Sequence, residues 1–233
     1  MQCLKLVAIG DTASGKTSLL ARLGTQRFQS EYVPTEFDNH TSTLVIDGRH
    51  FNLGLWDTAG QSDYDYMRPI SYPQTDIFLI CFNVSCRESF KNVKVWISEA
   101  RTYAKTASLF LVGLKTDQRR YSKIAADDEV TYSEAAKLAK KFKLMKYYEC
   151  SAKMDSHEEI EDLFRKIINI HLQPQMKVKT NSVTHLSSIS TQQLIELTKE
   201  DPDQKLSVVK AIVHKIKSGK EEDLDDIKVI TDK

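Results

Sequence analysis

The sequence predicts an α/β protein: a mostly parallel six-stranded sheet with one antiparallel edge hairpin strand and helices on both faces. Residues 76–84 and 108–113 are short, almost continuously apolar runs, typical of strands buried on both faces. Strand-like and helix-like segments alternate along the chain, as parallel strands joined by crossover helices require. Asp47-Gly48, between two further strand-like runs, indicates a hairpin. Together these observations predict three layers.

Each predicted element rests on its own pattern. The first strand is an apolar run that ends at Gly10, and Leu19, Leu20 and Leu23 share one face of the helix that follows. The predicted strands are residues 4–9, 43–47, 51–56, 76–84, 108–113 and 146–150. The predicted helices are residues 15–23, 88–105, 133–142 and 158–172. Ligands of such sheets bind beyond the carboxyl ends of the strands, where we therefore expect the site.

The composition indicates one domain with an extension. Residues 1–173 hold the predicted sheet and its helices, and residues 174–188 are polar and predict a linker. Residues 189–233 predict a partly helical C-terminal extension that includes a short helix at 189–199. A net charge of +1 argues against a nucleic-acid partner. No apolar run approaches the ~20 residues of a transmembrane helix. Four cysteines without a CxxC pair indicate reduced thiols, so we expect a cytoplasmic protein. We also expect a monomer.

A phosphate-binding motif follows the first predicted strand and opens the first predicted helix. The pattern G-x-x-x-x-G-K-[ST] predicts a P-loop NTPase fold, since its backbone N–H groups surround phosphate oxygens. Lys16 would place its charge at the β- and γ-phosphates, and the Thr17 hydroxyl can bind Mg²⁺. The alternative, a glycine-containing turn that precedes a helix by chance, is the weaker interpretation of this motif. The predicted phosphate-binding residues are Gly10, Asp11, Thr12, Ala13, Ser14, Gly15, Lys16, Thr17 and Ser18.

A second motif, Trp56-Asp57-Thr58-Ala59-Gly60-Gln61, ends the second hairpin strand. Asp57 is placed to hold Mg²⁺ through water, the Gly60 N–H can approach a γ-phosphate, and Gln61 can orient an attacking water. By itself, Asp57 could simply cap a turn. The phosphate-binding motif makes that interpretation the weaker one.

Two short segments at later strand ends predict base recognition. The Asp117 carboxylate can accept hydrogen bonds from guanine N1–H and N2–H₂, whereas adenine offers the wrong pattern. The Lys115 stem can lie over the base plane. Backbone N–H groups of Ser151, Ala152 and Lys153 can reach the guanine O6. Lys-x-Asp alone is a weak signal because it is common by chance.

These motifs together resemble a Ras-superfamily small GTPase, specifically of the Rho/Rac family, over about residues 2–172. The resemblance is strongest in EYVPTEFDNH (31–40), NLGLWDTAGQSDYDYMRPISYPQTDIFLICF (52–82) and KYYECSA (146–152). It implies a switch that binds GTP or GDP with Mg²⁺ and hydrolyses GTP. Its implied partners are effectors, exchange factors and GTPase-activating proteins of the Rho type.

The resemblance also assigns residues. It implies that Phe28 packs on the guanine and that Thr35 contacts Mg²⁺ and the γ-phosphate, acting in catalysis with Gln61 and Lys16. Residues 28–40 and 58–72 would be two switch segments that the γ-phosphate orders. Further implied nucleotide-binding residues are Tyr32, Pro34, Thr58 and Ala59. The implied effector-binding residues are Tyr32, Glu36, Phe37 and Asp38.

Two substitutions depart from the family's pattern. Thr12 stands where efficient relatives have glycine, beside the γ-phosphate and Gln61. Its β-branched side chain should crowd Gln61 and an arginine finger, so we expect slow hydrolysis; the alternative is that the loop relaxes and Thr12 is tolerated. Leu114 stands where the family has Asn or Thr, and losing that hydrogen bond costs ~0.5–1.5 kcal/mol. We therefore expect weaker or faster-exchanging nucleotide.

The C-terminal part also departs from the family. Residues 118–130 look like a shortened Rho-family insert. The sequence has no cysteine after Cys150, and residues 174–233 hold ten Lys against ten Asp and Glu, so we predict neither a prenyl anchor nor a polybasic patch. An apolar stripe predicts a helix that packs on the domain or a partner, with membrane contact as the alternative. The stripe is Leu206, Val209, Val213 and Ile216.

Two functional hypotheses remain open at this point. In the first, the chain is an enzyme switch that hydrolyses GTP with Gln61 and signals to the cytoskeleton or to membrane traffic. In the second, it is a constitutively GTP-bound scaffold with negligible turnover, as Thr12 favours. A third, an ATP-using kinase, is disfavoured by Asp57 and Asp117. For a switch we expect peripheral contact with a membrane through protein partners.

Overall fold

The computed structural model describes residues 2–28, 37–121 and 128–186. The strands are β1 (Gln2–Ile9), β2 (Phe37–Ile46), β3 (Arg49–Thr58), β4 (Ile77–Asn83), β5 (Ser108–Leu114) and β6 (Tyr147–Glu149). The helices are α1 (Lys16–Thr25), α2 (Arg87–Tyr103), α3 (Gln118–Tyr121), α4 (Tyr132–Lys141) and α5 (His157–Leu186). Two short 3₁₀ turns, Ser62–Tyr64 and Arg68–Ser71, lie between β3 and β4.

The predicted sheet is confirmed. Within the described residues, six strands are ordered β2-β3-β1-β4-β5-β6, with β2 and β3 antiparallel and every other neighbouring pair parallel. The central strand β1 therefore lies between β3 and β4. Its register sets Ala8 opposite Asp57 and Ile9 opposite Ile80. Because β1, β3, β5 and β6 all run parallel to one another, the four predicted motifs at their carboxyl ends lie at one edge of the sheet.

Apolar side chains bury both faces of the sheet. Leu19, Leu20 and Leu23 of α1 are fully or almost fully buried, as the predicted helix face requires. On α2, Val93 and Ile97 lie in one core cluster with sheet residues such as Phe78 and Ile80. Because β4 and β5 are covered on both faces, their side chains are apolar almost throughout.

Strand β2 is longer than the predicted strand at 43–47. It begins at Phe37 and pairs with β3 along its whole length, up to Ile46 opposite Arg49. Most of its side chains between residues 37 and 43 are exposed, because β2 is an edge strand. Polar residues there remove the apolar alternation that the prediction relied on, while the backbone ladder forms without it.

The last helix also extends beyond its predicted end at residue 172. Helix α5 continues to Leu186, and Pro174 lies within it at the cost of one backbone hydrogen bond. The following residues Gln175, Met176 and Lys177 favour helix, which explains the continuation. The helix thus includes residues 174–186 of the predicted linker.

Several predictions for the C-terminal part fall outside the described residues. These are the helix at 189–199 and the apolar stripe of Leu206, Val209, Val213 and Ile216. Part of the shortened insert, residues 122–127, also lies outside them. Among the helices that the structure describes, none combines the length and apolarity needed to cross a membrane.

Candidate nucleotide-binding site

The phosphate loop, residues 10–17, connects β1 to α1. Gly10 has φ +145°, and a Cβ atom there would lie 2.1 Å from the carbonyl oxygen of Cys81 on β4. Gly15 has φ +108° and directly precedes α1. Both positions therefore require glycine. Ala13 also has positive φ, 58°, and Ser14 is buried.

The buried Lys16 side chain folds back across the phosphate loop. Its Nζ donates hydrogen bonds to the carbonyl oxygens of Gly10, at 2.8 Å, and Asp11, at 3.0 Å. Burial lowers the pKa of the Lys16 ammonium, against the opposing effect of Cys81, Asp57 and Asp11. The positive charge is thereby held at the mouth of the loop, where phosphate oxygens would meet it. Thr17 and Ser18, in the first turn of α1, are half-buried.

Asp57 and Thr17 are chemically suited to Mg²⁺. Asp57 is fully buried at the end of β3, and its carboxylate interacts electrostatically with Lys16. Carboxylate and hydroxyl oxygens are the hard donors that Mg²⁺ prefers, with waters and substrate phosphates as its other ligands. The described residues contain no cluster of three or more His, Cys, Asp or Glu that could hold a metal alone. A metal shared with a nucleotide fits this donor set. Thr35 lies outside the described residues.

The segment after β3 lies directly on the phosphate loop. A Cβ atom at Gly60 would lie 2.4 Å from the backbone nitrogen of Thr12 and 2.5 Å from the carbonyl oxygen of Gly10. Thr12 is exposed and lines a cleft together with Gly60 and Gln61. The Thr58 hydroxyl donates to the carbonyl oxygen of Ala8 at 2.7 Å, so this side chain holds β3 against β1. Ala59 is buried.

Arg68 organises this segment, and the sequence analysis missed it. Its guanidinium donates to the carbonyl oxygens of Ala59, at 3.0 Å, and Gln61, at 3.4 Å. It also forms ion pairs with Glu99 on α2, at 2.9 Å, and with Asp65, at 2.5 Å. Burial alone would lower the pKa of Arg68, but its hydrogen bonds to the Glu99 and Asp65 carboxylates raise it. The buried positive charge is therefore paired with two carboxylates.

Helix α2 also holds the phosphate loop. The Asp11 carboxylate accepts hydrogen bonds from Asn92 Nδ2, at 2.8 Å, and Trp96 Nε1, at 2.7 Å. The Trp96 ring lies 4.5 Å from the Arg68 guanidinium, in a cation–π contact. Asn92, Trp96 and Glu99 share one face of α2 because their spacing follows the helical period. The sequence could have shown from this spacing that the three residues share a face, but not what that face contacts.

The predicted base-binding residues line a second pocket. Asp117 accepts a hydrogen bond from Ser151 Oγ at 2.7 Å, which orients the carboxylate. Lys115 has φ +61°, and burial lowers the pKa of its ammonium. A Cβ atom at Gly15 would lie 3.6 Å from Lys115 Cε. The residues around this pocket are Gly15, Ser18, Phe28, Leu114, Lys115, Asp117, Gln118, Ala152 and Lys153.

Leu114 makes an apolar contact with the phosphate loop. A Cβ atom at Gly15 would lie 3.4 Å from Leu114 Cδ1 and 3.5 Å from Leu114 Cβ, at ordinary van der Waals distance. The leucine side chain is 2% exposed and cannot donate or accept a hydrogen bond. No hydrogen bond from this side chain therefore joins the end of β5 to the phosphate loop.

The predicted effector-binding residues are described only in part. Phe37, the first residue of β2, is half exposed and packs edge-to-face on Trp56 at 5.3 Å. Asp38 is exposed, and its carboxylate lies 3.1 Å from His40 Nε2. The remaining residues of this segment, with their predicted nucleotide and effector contacts, lie outside the described residues: Tyr32, Pro34, Thr35 and Glu36.

This fold and site define a protein that binds nucleoside triphosphates through a phosphate loop at the carboxyl edge of a parallel sheet. The model of the Ras family matches residues 5–173 of the chain. The chain therefore belongs to the Ras family, whose members are small GTPases that bind guanine nucleotides and act as switches. The match covers the phosphate loop, the Asp57–Gln61 segment and both base-binding segments.

Proposed function

We propose that this protein is a Rho-type GTP switch that hydrolyses GTP slowly because of Thr12. The observation that carries the proposal is the contact between the Thr12 backbone and Gly60, which puts Thr12 and Gln61 on the same cleft. The proposed Rho type rests on the sequence resemblance at residues 31–40, 52–82 and 146–152. In this proposal its partners are Rho-type effectors and regulators that connect it to the cytoskeleton or membrane traffic.

The chain's own groups supply the chemistry that hydrolysis needs. Backbone N–H groups of the phosphate loop and the Lys16 ammonium bind the phosphates and stabilise negative charge as it develops. Asp57 and Thr17 would hold Mg²⁺, which neutralises charge on the β- and γ-phosphates when bound. Gln61 orients the attacking water, while Arg68 holds the Gln61 carbonyl oxygen. These groups act without forming a covalent bond between the protein and the nucleotide.

Thr12 limits two of these contributions. A β-branched side chain at this position occupies space between the phosphate loop and Gln61. It also obstructs the approach of an arginine supplied by an activating protein, and such arginines contribute about 10³–10⁵ in rate. Phosphate binding needs only the backbone and Lys16, so nucleotide binding is retained while turnover falls.

A second function follows from the same residue. If Thr12 suppresses hydrolysis completely, the protein is a constitutively GTP-bound scaffold that binds partners without cycling. Exchange of nucleotide, protein abundance or the C-terminal extension would then control it. The two functions differ in one measurable quantity, the rate at which bound GTP is converted to GDP.

Single-turnover hydrolysis of bound GTP tests the proposal. We expect wild type to hydrolyse slowly and Thr12→Gly to be about tenfold faster, because small displacements of reacting groups change rates by such factors. Gln61→Leu is the matched control and should abolish turnover in both backgrounds. Equal rates for wild type and Thr12→Gly would show that Thr12 is tolerated. Turnover that is undetectable in wild type and restored in Thr12→Gly would favour the scaffold.

A further inference from the structure

The two base-binding loops leave the sheet from neighbouring parallel strands. Lys115-Thr116-Asp117 follows β5 and Ser151-Ala152-Lys153 follows β6, with Gly113 opposite Glu149 in the strand register. One side-chain hydrogen bond, from Ser151 Oγ to Asp117, joins the loops near the base. The backbone link from Thr116 N to the Cys150 carbonyl oxygen is long, at 3.5 Å. Base recognition thus depends on what else fixes the distance between the loops.

One ion pair joins the flanks of both loops. Arg119 lies two residues after Asp117, and Glu149 lies two residues before Ser151. Arg119 Nη1 donates to Glu149 Oε2 at 2.5 Å, and Nη2 donates to Oε1 at 3.0 Å. Such a bidentate pair fixes orientation as well as distance, because two parallel hydrogen bonds prevent rotation.

Surrounding groups hold the pair in place. The Tyr147 hydroxyl donates to the Glu149 carboxylate, and Arg119 Nη2 also donates to the Val130 carbonyl oxygen. Arg119 Nε lies 3.3 Å from the Glu129 carboxylate. The side chains of Arg119 and Glu149 are 20% and 17% exposed, so solvent screens this pair less than a surface pair. The hydrogen bonds that Arg119 donates to Glu149 raise the pKa of Arg119 against the effect of burial.

Because of Leu114, the position of the base-binding loops depends more strongly on the Arg119–Glu149 pair. The contact between Leu114 and Gly15 is apolar, so it supplies no directional bond from the base-binding loop to the phosphate loop. Packing contacts tolerate small shifts, whereas hydrogen-bond geometry does not. Among the described residues, the side-chain hydrogen bond that holds Asp117 comes from Ser151, on the β6 side.

We propose that Arg119 and Glu149 are positioning residues for guanine recognition. Their bidentate pair sets the separation of the two loops, so that the Asp117 carboxylate meets guanine N1–H and N2–H₂ while the Ser151–Lys153 backbone meets O6. The pair touches no nucleotide atom in this assignment and acts through Asp117 and Ser151. The inference rests on the guanine-nucleotide binding in the proposed function.

The test compares release of fluorescent GDP and IDP from the full chain, since hypoxanthine lacks the 2-amino group that Asp117 would contact. Glu149→Gln keeps the shape but loses the charge, and Arg119→Lys keeps the charge but loses the fork. We expect both variants to release GDP about tenfold faster, the effect of weakening a charged hydrogen bond. IDP release should change less, so the preference for GDP over IDP falls.

Glu88→Gln is the matched control. Glu88 forms an ion pair with Lys91 at 3.1 Å within α2, so the same chemical change perturbs an ion pair that involves no residue of the Arg119–Glu149 cluster. We expect GDP and IDP release from this variant to match wild type. Thermal unfolding of all three variants shows whether faster nucleotide release is explained by a loss of stability.

Three results would overturn the inference. These are unchanged GDP release in Glu149→Gln, equal acceleration of GDP and IDP release, and the same change in Glu88→Gln. Failure of the proposed function itself is distinguishable, because wild type would then bind guanine and adenine nucleotides alike before any variant is made.

Discussion

Trp96 on α2 donates a hydrogen bond of 2.7 Å from its indole Nε1 to the carboxylate of Asp11 in the phosphate loop. One turn further along the same face, Glu99 holds Arg68, which binds two carbonyl oxygens of the segment after β3. A single helix face therefore holds both the phosphate loop and the segment after β3. This arrangement makes α2 a structural support of the cleft lined by Thr12 and Gln61.

Trp96→Phe removes the donor but keeps an aromatic ring beneath Arg68. We expect the free energy of unfolding to fall by about 1–2 kcal/mol, the typical effect of leaving a partly buried carboxylate short of one hydrogen bond. GDP release should accelerate because the phosphate loop loses one anchor. Urea unfolding and fluorescent GDP release measure both effects. Unchanged release with lowered stability would show that α2 does not control the loop.

Glu99→Gln tests the ion pair with the buried Arg68. The change leaves the buried Arg68 paired with Asp65, whose side chain is 62% exposed, so we expect a loss of up to about 3 kcal/mol in unfolding free energy. The Tyr72 hydroxyl, which donates to Glu99 at 2.5 Å, would lose a charged acceptor in the same step. Glu88→Gln, in an exposed pair with Lys91, is the control and should change stability little. Similar losses in both variants would contradict this account.

Leu114→Asn tests whether the apolar contact with Gly15 weakens nucleotide retention. We expect GDP release to slow by about threefold to tenfold, because an amide can supply a hydrogen bond worth ~0.5–1.5 kcal/mol. Leu114→Met keeps the site apolar and should release GDP at the wild-type rate. Faster or unchanged release from Leu114→Asn would mean that burying the amide costs as much as its hydrogen bond contributes.

The Glu134 carboxylate makes the stability of the domain depend on pH in acidic solution. Hydrogen bonds from the Thr131 backbone, with further help from Arg87, lower the pKa of Glu134 from 4.5 to about 2. A lowered folded-state pKa means that its stabilisation is complete above pH 4.5 and is lost as pH falls towards 2. Glu134→Gln should flatten this part of the pH–stability curve. Because the side chain is 44% exposed, the expected change is small, under about 1 kcal/mol.

Sequence patterns that act locally were sufficient for most of the sheet. The phosphate loop is a contiguous motif, and the apolar runs of β4 and β5 follow directly from burial on both faces. The start of β2 at Phe37 escaped prediction because an edge strand can be polar on its exposed positions. Helix α5 continues past Pro174 to Leu186. This continuation was not predicted because proline normally favours a helix end.

The supporting contacts of the site could not be predicted in the same way. Arg68 and Glu99, like Arg119 and Glu149, are charged residues far apart in sequence, and such residues usually lie in solvent. Only the fold brings them together and buries them. The catalytic and base-binding motifs were visible because each is short, whereas the residues that hold these motifs in place belong to other elements.

Acceleration of single-turnover GTP hydrolysis by a Rho-type GTPase-activating protein tests the central claim, that Thr12 obstructs the catalytic cleft. An arginine finger contributes about 10³–10⁵ in rate, so Thr12→Gly should be accelerated by at least about 10³. Wild type should be accelerated far less under the same conditions. Gln61→Leu in the Thr12→Gly background controls for contaminating activity. Equal acceleration of wild type and Thr12→Gly would contradict the account.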